Sequence, residues 1–291
     1  MTRMLRDKVA IITGGGTGIG EAIAQKYAQL GAKLVVAGLP TDPVDDVVRA
    51  IEETGADAIA FKGDLGEVGN AQACVALAIE RYKKLDVLVN NAGVFLVTAP
   101  VEKYPVDVFE KTMMANITSA FLMTRFAMPY LQASRGCVVF TGSESGLMGL
   151  GNNAVYGGTK GWLHAFAKGV AVEQAAHGVR ANCVCPGPVD TAWTHKETGP
   201  MTAEMEEGIV SGTLMGRRGT PEEIANIFAF LASDEASYVT AALWSVDGGT
   251  TSCKGPIGDM VPKELRVEPA GELALRHSKQ GLDNKETRSL M

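Results

Sequence analysis

The chain predicts an α/β fold: a single-domain, doubly wound parallel sheet of about seven strands with helices on both faces. Short runs rich in Val, Ile and Leu alternate along it with longer segments of helical period. The turns between them are glycine-rich, with 34 glycines in 291 residues, and 46% of the residues are hydrophobic. Strand, helix, strand at this rhythm calls for parallel pairing, and right-handed crossovers leave few other topologies.

In order, the strands are expected at Val9–Thr13, Lys33–Ala37, Ala58–Lys62, Asp86–Asn90, Gly136–Thr141, Arg180–Cys185 and Leu243–Val246. Helices are expected at 18–30, 44–54, 67–83, 106–132, 154–177 and 221–232. Residues 1–249 read as one domain and 250–291 as a polar C-terminal extension. No internal repeat or linker interrupts the first of these.

A net charge of -6 and a pI of about 5.4 exclude a nucleic-acid partner, since no basic surplus exists to displace counterions. The apolar runs fall far short of the ~18 residues that span a bilayer. Val9–Ile12 is too short for a signal core, so a cytoplasmic protein without a membrane partner is expected. Five cysteines are present, an odd number. Cys183-Val184-Cys185 lacks Cys-x-x-Cys spacing and no histidine cluster accompanies it, so buried free thiols and no metal are expected.

Thr13-Gly14-Gly15-Gly16-Thr17-Gly18-Ile19-Gly20 follows the first strand and opens the first helix. Glycines there let the backbone approach a pyrophosphate at a helix N-terminus, where free N–H groups and the dipole favour an anion. The second strand ends in Ala37-Gly38-Leu39-Pro40, with no carboxylate before Asp42 to grip a ribose. The nearest following cation is Arg49, and the glycine loop has none. An uncompensated 2′-phosphate costs more than a missing ribose hydrogen bond, so NAD is favoured over NADP.

Further along, Asp64 and Leu65 follow the third strand, where Asp64 is placed either to bind the adenine amino group or to cap the next helix. Asn90-Asn91-Ala92-Gly93 ends the fourth. Asn116 falls inside a long helix, where its side chain could open the backbone ladder and hold a water. Ser143 follows the fifth strand, and Pro186-Gly187-Pro188-Val189-Asp190-Thr191 ends the sixth, where N–H groups and a hydroxyl suit a carboxamide or phosphate. Trp193, His195 and the stretch from Met201 to Met215 are placed as a lid.

Tyr156 and Lys160 stand one helical turn apart on one face. A cation beside a phenol lowers its pKa from ~10 and fits it to pass protons near neutrality.

Thr13 to Gly20, Asn90 to Gly93, Asn116, Ser143, Tyr156 with Lys160, and Pro186-Gly187 together resemble the short-chain dehydrogenase/reductase family over roughly residues 5 to 249. The resemblance implies a Rossmann-type fold and hydride transfer between a nicotinamide and a carbinol or carbonyl carbon. It implies Tyr156 as general acid/base, Ser143 polarising the carbonyl, Lys160 on the nicotinamide ribose, and Asn116 holding a relay water. Gly14, Thr17, Gly18, Ile19, Gly20, Asp64, Leu65, Asn90, Ala92, Gly93, Pro186, Gly187, Val189 and Thr191, with Tyr156 and Lys160, then form the cofactor site. It further implies a homotetramer or homodimer and a small alcohol or ketone substrate. A 3-oxoacyl-carrier-protein-type reductase using NADPH, or a dinucleotide sensor without turnover, are the competing readings. The chain departs from the family at Gly38, where an acidic residue normally selects NAD, and in the tail after Gly249, which is read as either disordered or wrapped on a neighbouring subunit.

Overall fold

The structure is a computed structural model that describes residues 4–191, 202–256, 260–266, 271, 273–275 and 277. Its strands are β1 (Val9–Thr13), β2 (Lys33–Gly38), β3 (Ala58–Lys62), β4 (Val87–Asn90), β5 (Cys137–Thr141), β6 (Arg180–Pro186) and β7 (Leu243–Val246). They form one sheet in the order β3-β2-β1-β4-β5-β6-β7, with every neighbouring pair parallel. The chain leaves β1 toward β2 on one side and returns to pair β4 on the other. That reversal opens a crevice at the carboxyl ends of the strands.

The helices are α1 (Gly18–Gln29), α2 (Val44–Glu52), α3 (Val68–Tyr82), α4 (Val106–Met113), α5 (Ser119–Ser134), α6 (Ala154–Gln174), α7 (Ala203–Ser211) and α8 (Pro221–Ala232). Because successive strand residues point to opposite faces, Ile12, Val36 and Val139 pack with α1, α2 and α8, while Ile11, Val35 and Val138 pack with α3, α5 and α6. Both faces are therefore buried, which is why the strands read as unbroken apolar runs. A capping box, Thr220 with Glu223, and Pro221 in the first turn set the start of α8.

Two stretches differ from the sequence expectation. The predicted helix over 106–132 is α4 and α5 joined by a π-helical turn, Met114–Thr118. Asn116 sits in that turn, wholly buried, and bonds outside the helix, so the ladder widens there. The stretch expected only as a lid contains α7, whose start is capped by Thr202 Oγ1 accepting from the Met205 N–H at 3.1 Å. Residues 192–201, with Trp193 and His195, lie outside the described residues.

The described part of the extension lies against α1 and α8 of its own chain. Leu273 and Leu275 pack on the core there. The Leu273 N–H donates to Glu222 Oε2 at 3.1 Å and the His277 N–H to Glu21 Oε2 at 2.8 Å. Among the described residues no helix is long and apolar enough to cross a membrane.

Candidate active site

A groove of about 680 Å³ runs along the carboxyl edge of the sheet from Asp42 beside β2 to Ile209 of α7. At its centre the ends of three strands are tied together. Asn91 Nδ2 donates to the carbonyls of Thr13 and Gly14, both at 3.2 Å, and Thr141 Oγ1 donates to Asn91 Oδ1 at 3.1 Å. Gly14 has a φ of +61°, which favours glycine, and a Cβ on Gly20 would stand 1.9 Å from the Gly14 carbonyl oxygen. The loop thus folds flat against α1 and sets the helix N-terminus beside the groove, a place suited to a pyrophosphate, where in this structure the Gly18 N–H donates to the His277 carbonyl at 3.4 Å.

Of the predicted cofactor residues, Gly14, Thr17, Gly18, Ile19, Asp64, Leu65, Ala92, Gly93, Tyr156, Lys160, Pro186, Gly187, Val189 and Thr191 line the groove. Gly20 and Asn90 do not. Gly20 serves the close packing just described, and Asn90 Nδ2 turns to Thr124 Oγ1 on α5 at 2.9 Å. Asn91 takes the lining position instead. Asp64 lines the groove while Oδ1 accepts from the Gly66 N–H at 2.8 Å; α3 begins after Glu67, which has no side-chain cap.

Beside β2 the structure supplies a carboxylate that spacing alone did not promise. Asp42 Oδ2 accepts from the Leu39 N–H at 2.8 Å and would lie 2.8 Å from a Cβ on Gly38. The loop therefore folds Asp42 back over the end of β2, into the space a larger residue at 38 would fill, and Asp42 lines the groove. Burial pushes its pKa up. Arg49 is paired with Asp46 and Lys62 with Asp45. Among the described residues lining the groove, Lys160 is the one cationic side chain.

At the other end, Ser143, Tyr156 and Lys160 converge. Ser143 leaves β5 in an extended conformation and is nearly buried. Its hydroxyl accepts from the Ser145 N–H at 3.1 Å and hydrogen-bonds the Tyr156 phenol. The Tyr156 ring packs against Phe95 with centroids 4.7 Å apart. Lys160 Nζ stands 5.5 Å from the Tyr156 ring centroid and donates to the Thr141 carbonyl at 2.8 Å. Asn116 does not line the groove but braces it. Its Oδ1 accepts from the Val94 N–H at 2.7 Å, and its Nδ2 donates to Val94 O and Thr159 Oγ1, both at 3.0 Å.

The tuning expected for Tyr156 is corrected. Burial pushes its pKa up to about 12 despite the hydrogen bond with Ser143, and the neighbouring Glu144 charge adds to the rise. Burial also holds Lys160 down at about 8. In the protein alone, desolvation of the phenolate therefore outweighs the Ser143 hydrogen bond.

Glu144 and Asn153 line the same end, and the sequence reading did not single them out. Burial and the Asp247 charge push Glu144 up to about 7 from an ordinary 4.5. The fold thus favours the protonated acid, a contribution present below about pH 4.5 and lost as pH rises through 7. Urea unfolding at pH 5 and pH 8 should show wild type losing about 2–3 kcal/mol relative to Glu144→Gln over that interval.

Behind Ser143, α6 delivers His164 against β6, which corrects the expectation that no histidine accompanies the paired cysteines. The ligand atoms of His164, Cys183 and Cys185 all lie within 4.8 Å of one another, with Cys185 Sγ 3.2 Å from His164 Nε2. The hydrogen bond from Cys183 holds the Cys185 thiol down at about 5, and Cys183 is pushed up. All five thiols are free, four of them buried.

The family model described as enoyl-(acyl carrier protein) reductase matches residues 14–251. The L-rhamnose 1-dehydrogenase (NAD(P)(+)) of Sphingomonas sp. (strain SKA58) is 37% identical, covering 85% of this chain and 97% of that one. The meso-2,3-butanediol dehydrogenase of Serratia marcescens is 34% identical, covering 86% and 96%, and the cyclohexanol dehydrogenase of Acinetobacter sp. (strain SE19) 34%, covering 87% and 98%. Among solved structures, a double mutant of a Serratia marcescens short-chain dehydrogenase/reductase superposes with a TM-score of 0.79 at 31% identity, covering 85% of this chain and 99% of that one. With its seven-stranded parallel sheet and its glycine loop at the carboxyl edge, the chain belongs to the short-chain dehydrogenase/reductase family of oxidoreductases.

Proposed function

We propose that this protein is an NAD-dependent dehydrogenase/reductase acting on a secondary alcohol or the corresponding ketone, with Tyr156 as general acid/base. One observation carries this reading: a single groove joins the anion-favouring N-terminus of α1 to the Ser143 and Tyr156 hydroxyls and the Lys160 ammonium. The residues fit a dinucleotide, because Gly14, Thr17, Gly18 and Ile19 line the groove at the start of α1 and Asp42 supplies an acceptor at the β2 end. When bound, the nicotinamide supplies or receives the hydride.

The chain's own groups manage the proton and the charge. In oxidation Tyr156 Oη takes the substrate hydroxyl proton, and in reduction it returns one. The Ser143 hydroxyl donates to the substrate oxygen and stabilises its developing negative charge without reorganisation. Lys160 Nζ, held by the Thr141 carbonyl, has donors left for ribose hydroxyls and brings a positive charge beside the phenol. Asn116 fixes Val94, next to Gly93 in the groove wall, and ties it to α6 through Thr159.

Asp42 supports the choice of NAD over NADP. One carboxylate oxygen is engaged by Leu39, and the other remains to accept from a ribose hydroxyl. A 2′-phosphate there would meet a like charge at a cost of several kcal/mol. Fluorescence titration with NADH and NADPH tests this, and tighter NADPH binding would overturn it. Asp42→Ser should shift the ratio of kcat/KM values toward NADP by at least ~10-fold, a change of about 1.4 kcal/mol.

Phe109, Met114, Phe121 and Val172 leave an apolar surface exposed on α4 to α6 and the turn between them. It supports association into a homodimer or homotetramer. Light scattering should give a multiple of 30.6 kDa, and Phe121→Glu should shift it toward the monomer.

A further inference from the structure

The wall beside Ser143 carries two oxygen atoms that the protein leaves unmet, although the Glu144 carboxyl also has the Thr250 side chain as a hydrogen-bond partner. Glu144 Oε2 and Asn153 Oδ1 are both buried without a hydrogen-bond partner. Asn153 occupies the N-cap position of α6, where its Oδ1 would ordinarily accept from the first turn, yet it makes no such bond. Its Nδ2 instead donates to Ser145 Oγ at 3.2 Å, which turns the side chain away from the helix. Leaving a buried acceptor unmet costs ~1–3 kcal/mol, so two of them on residues that line one groove are arranged for something other than stability.

Both residues line the groove with Ser143 and Tyr156. Glu144 directly follows Ser143, and its charge reaches the Tyr156 phenol. Any group met by these acceptors therefore sits close to the reacting carbon. Phe95, Leu150 and Ile209 form apolar lining at the same end, suited to a short carbon skeleton.

The geometry points to a subsite at Glu144 and Asn153 for a second hydroxyl on the carbon next to the reacting carbinol, making the substrate class a vicinal diol or polyol. This rests on the dehydrogenase reading above and names the substrate class of that site. Two acceptors require a donor. A hydroxyl rather than an ammonium suits them because the fold holds Glu144 in partly neutral form near pH 7, where it can also donate to the hydroxyl oxygen. A monoalcohol of the same skeleton would leave both acceptors unmet, the situation in which sites discriminate most strongly.

The full-length protein would be assayed with NAD+ and NADP+ on paired probes: 2,3-pentanediol against 2-pentanol, cyclopentane-1,2-diol against cyclopentanol, and 1-amino-2-propanol against 2-propanol. The expected result is a kcat/KM at least ~10²-fold higher for the diol than for its monoalcohol. Glu144→Leu should reduce that ratio by at least ~10-fold, with Glu144→Gln keeping most of it. Because the readout is a ratio within one protein, partial misfolding of a variant cancels. Equal use of diol and monoalcohol, a ratio unmoved by Glu144→Leu, or preference for the amino alcohol would overturn the subsite while leaving the dehydrogenase reading intact. No coenzyme-linked turnover of any probe would instead overturn that reading, and the subsite with it.

Discussion

Tyr156→Phe should lower kcat by roughly 10³-fold or more, within the range that positioned proton transfer supplies and beyond the loss of one ordinary hydrogen bond. Only the phenolic oxygen is removed. The ring keeps its packing against Phe95, so the fold should survive. Coenzyme fluorescence titration should still saturate, and the fall in kcat should exceed any change in Kd. A variant retaining more than about a tenth of wild-type kcat on a good substrate would reject Tyr156 as the acid/base. The pH dependence has a definite sign. Oxidation needs the phenolate as base, so its rate should rise with pH until the tyrosine is deprotonated, whereas reduction needs the phenol and should fall above the same value. Since burial holds Tyr156 up at about 12 in the protein alone, the profile of the coenzyme-bound enzyme should turn at a lower pH. A cation near the phenol favours its ionised form, and Lys160 is positioned to add to that effect.

Asn116→Ala should be the most damaging substitution outside the groove lining. It leaves the half-buried Val94 N–H and C=O without their side-chain partner and removes the tie to Thr159. Because water can reach the half-buried Val94 and replace part of this bonding, a loss of about 2 kcal/mol is expected in urea unfolding. The π-helical turn was also shaped by that side chain, so Met114–Thr118 should relax toward an ordinary helix. Val94 adjoins Gly93, where a Cβ would stand 3.6 Å from Lys160 Nζ. A fall in kcat should therefore accompany the loss of stability. An Asn116→Ala protein as stable as wild type would show that Asn116 does not brace this wall.

The residues proposed to act through chemistry were legible because their types and spacings carry the signal. Tyr156 and Lys160 share a helix face, Ser143 ends a strand, and Gly14 to Gly20 open a helix after one, so local periodicity places all of them at one edge of the sheet. Asp42, Glu144, Asn153 and His164 were not legible in this way. Asp42 reaches the groove because a loop folds back onto Gly38. His164 meets Cys183 and Cys185 only because α6 lies across β6.

By itself the amino-acid order determined the strand and helix sequence, hence the parallel sheet and the edge that holds the site, because hydrophobic period and glycine turns are local properties. It also determined which side chains can transfer a proton. Tertiary structure alone decided the rest: that Asp42 folds back over Gly38 to line the groove, that Asn90 turns to α5 while Asn91 faces the groove, and that Tyr156 is pushed up to about 12. Each depends on burial and on contacts between residues distant in sequence, and desolvation grows with the number of chain segments that close over a group.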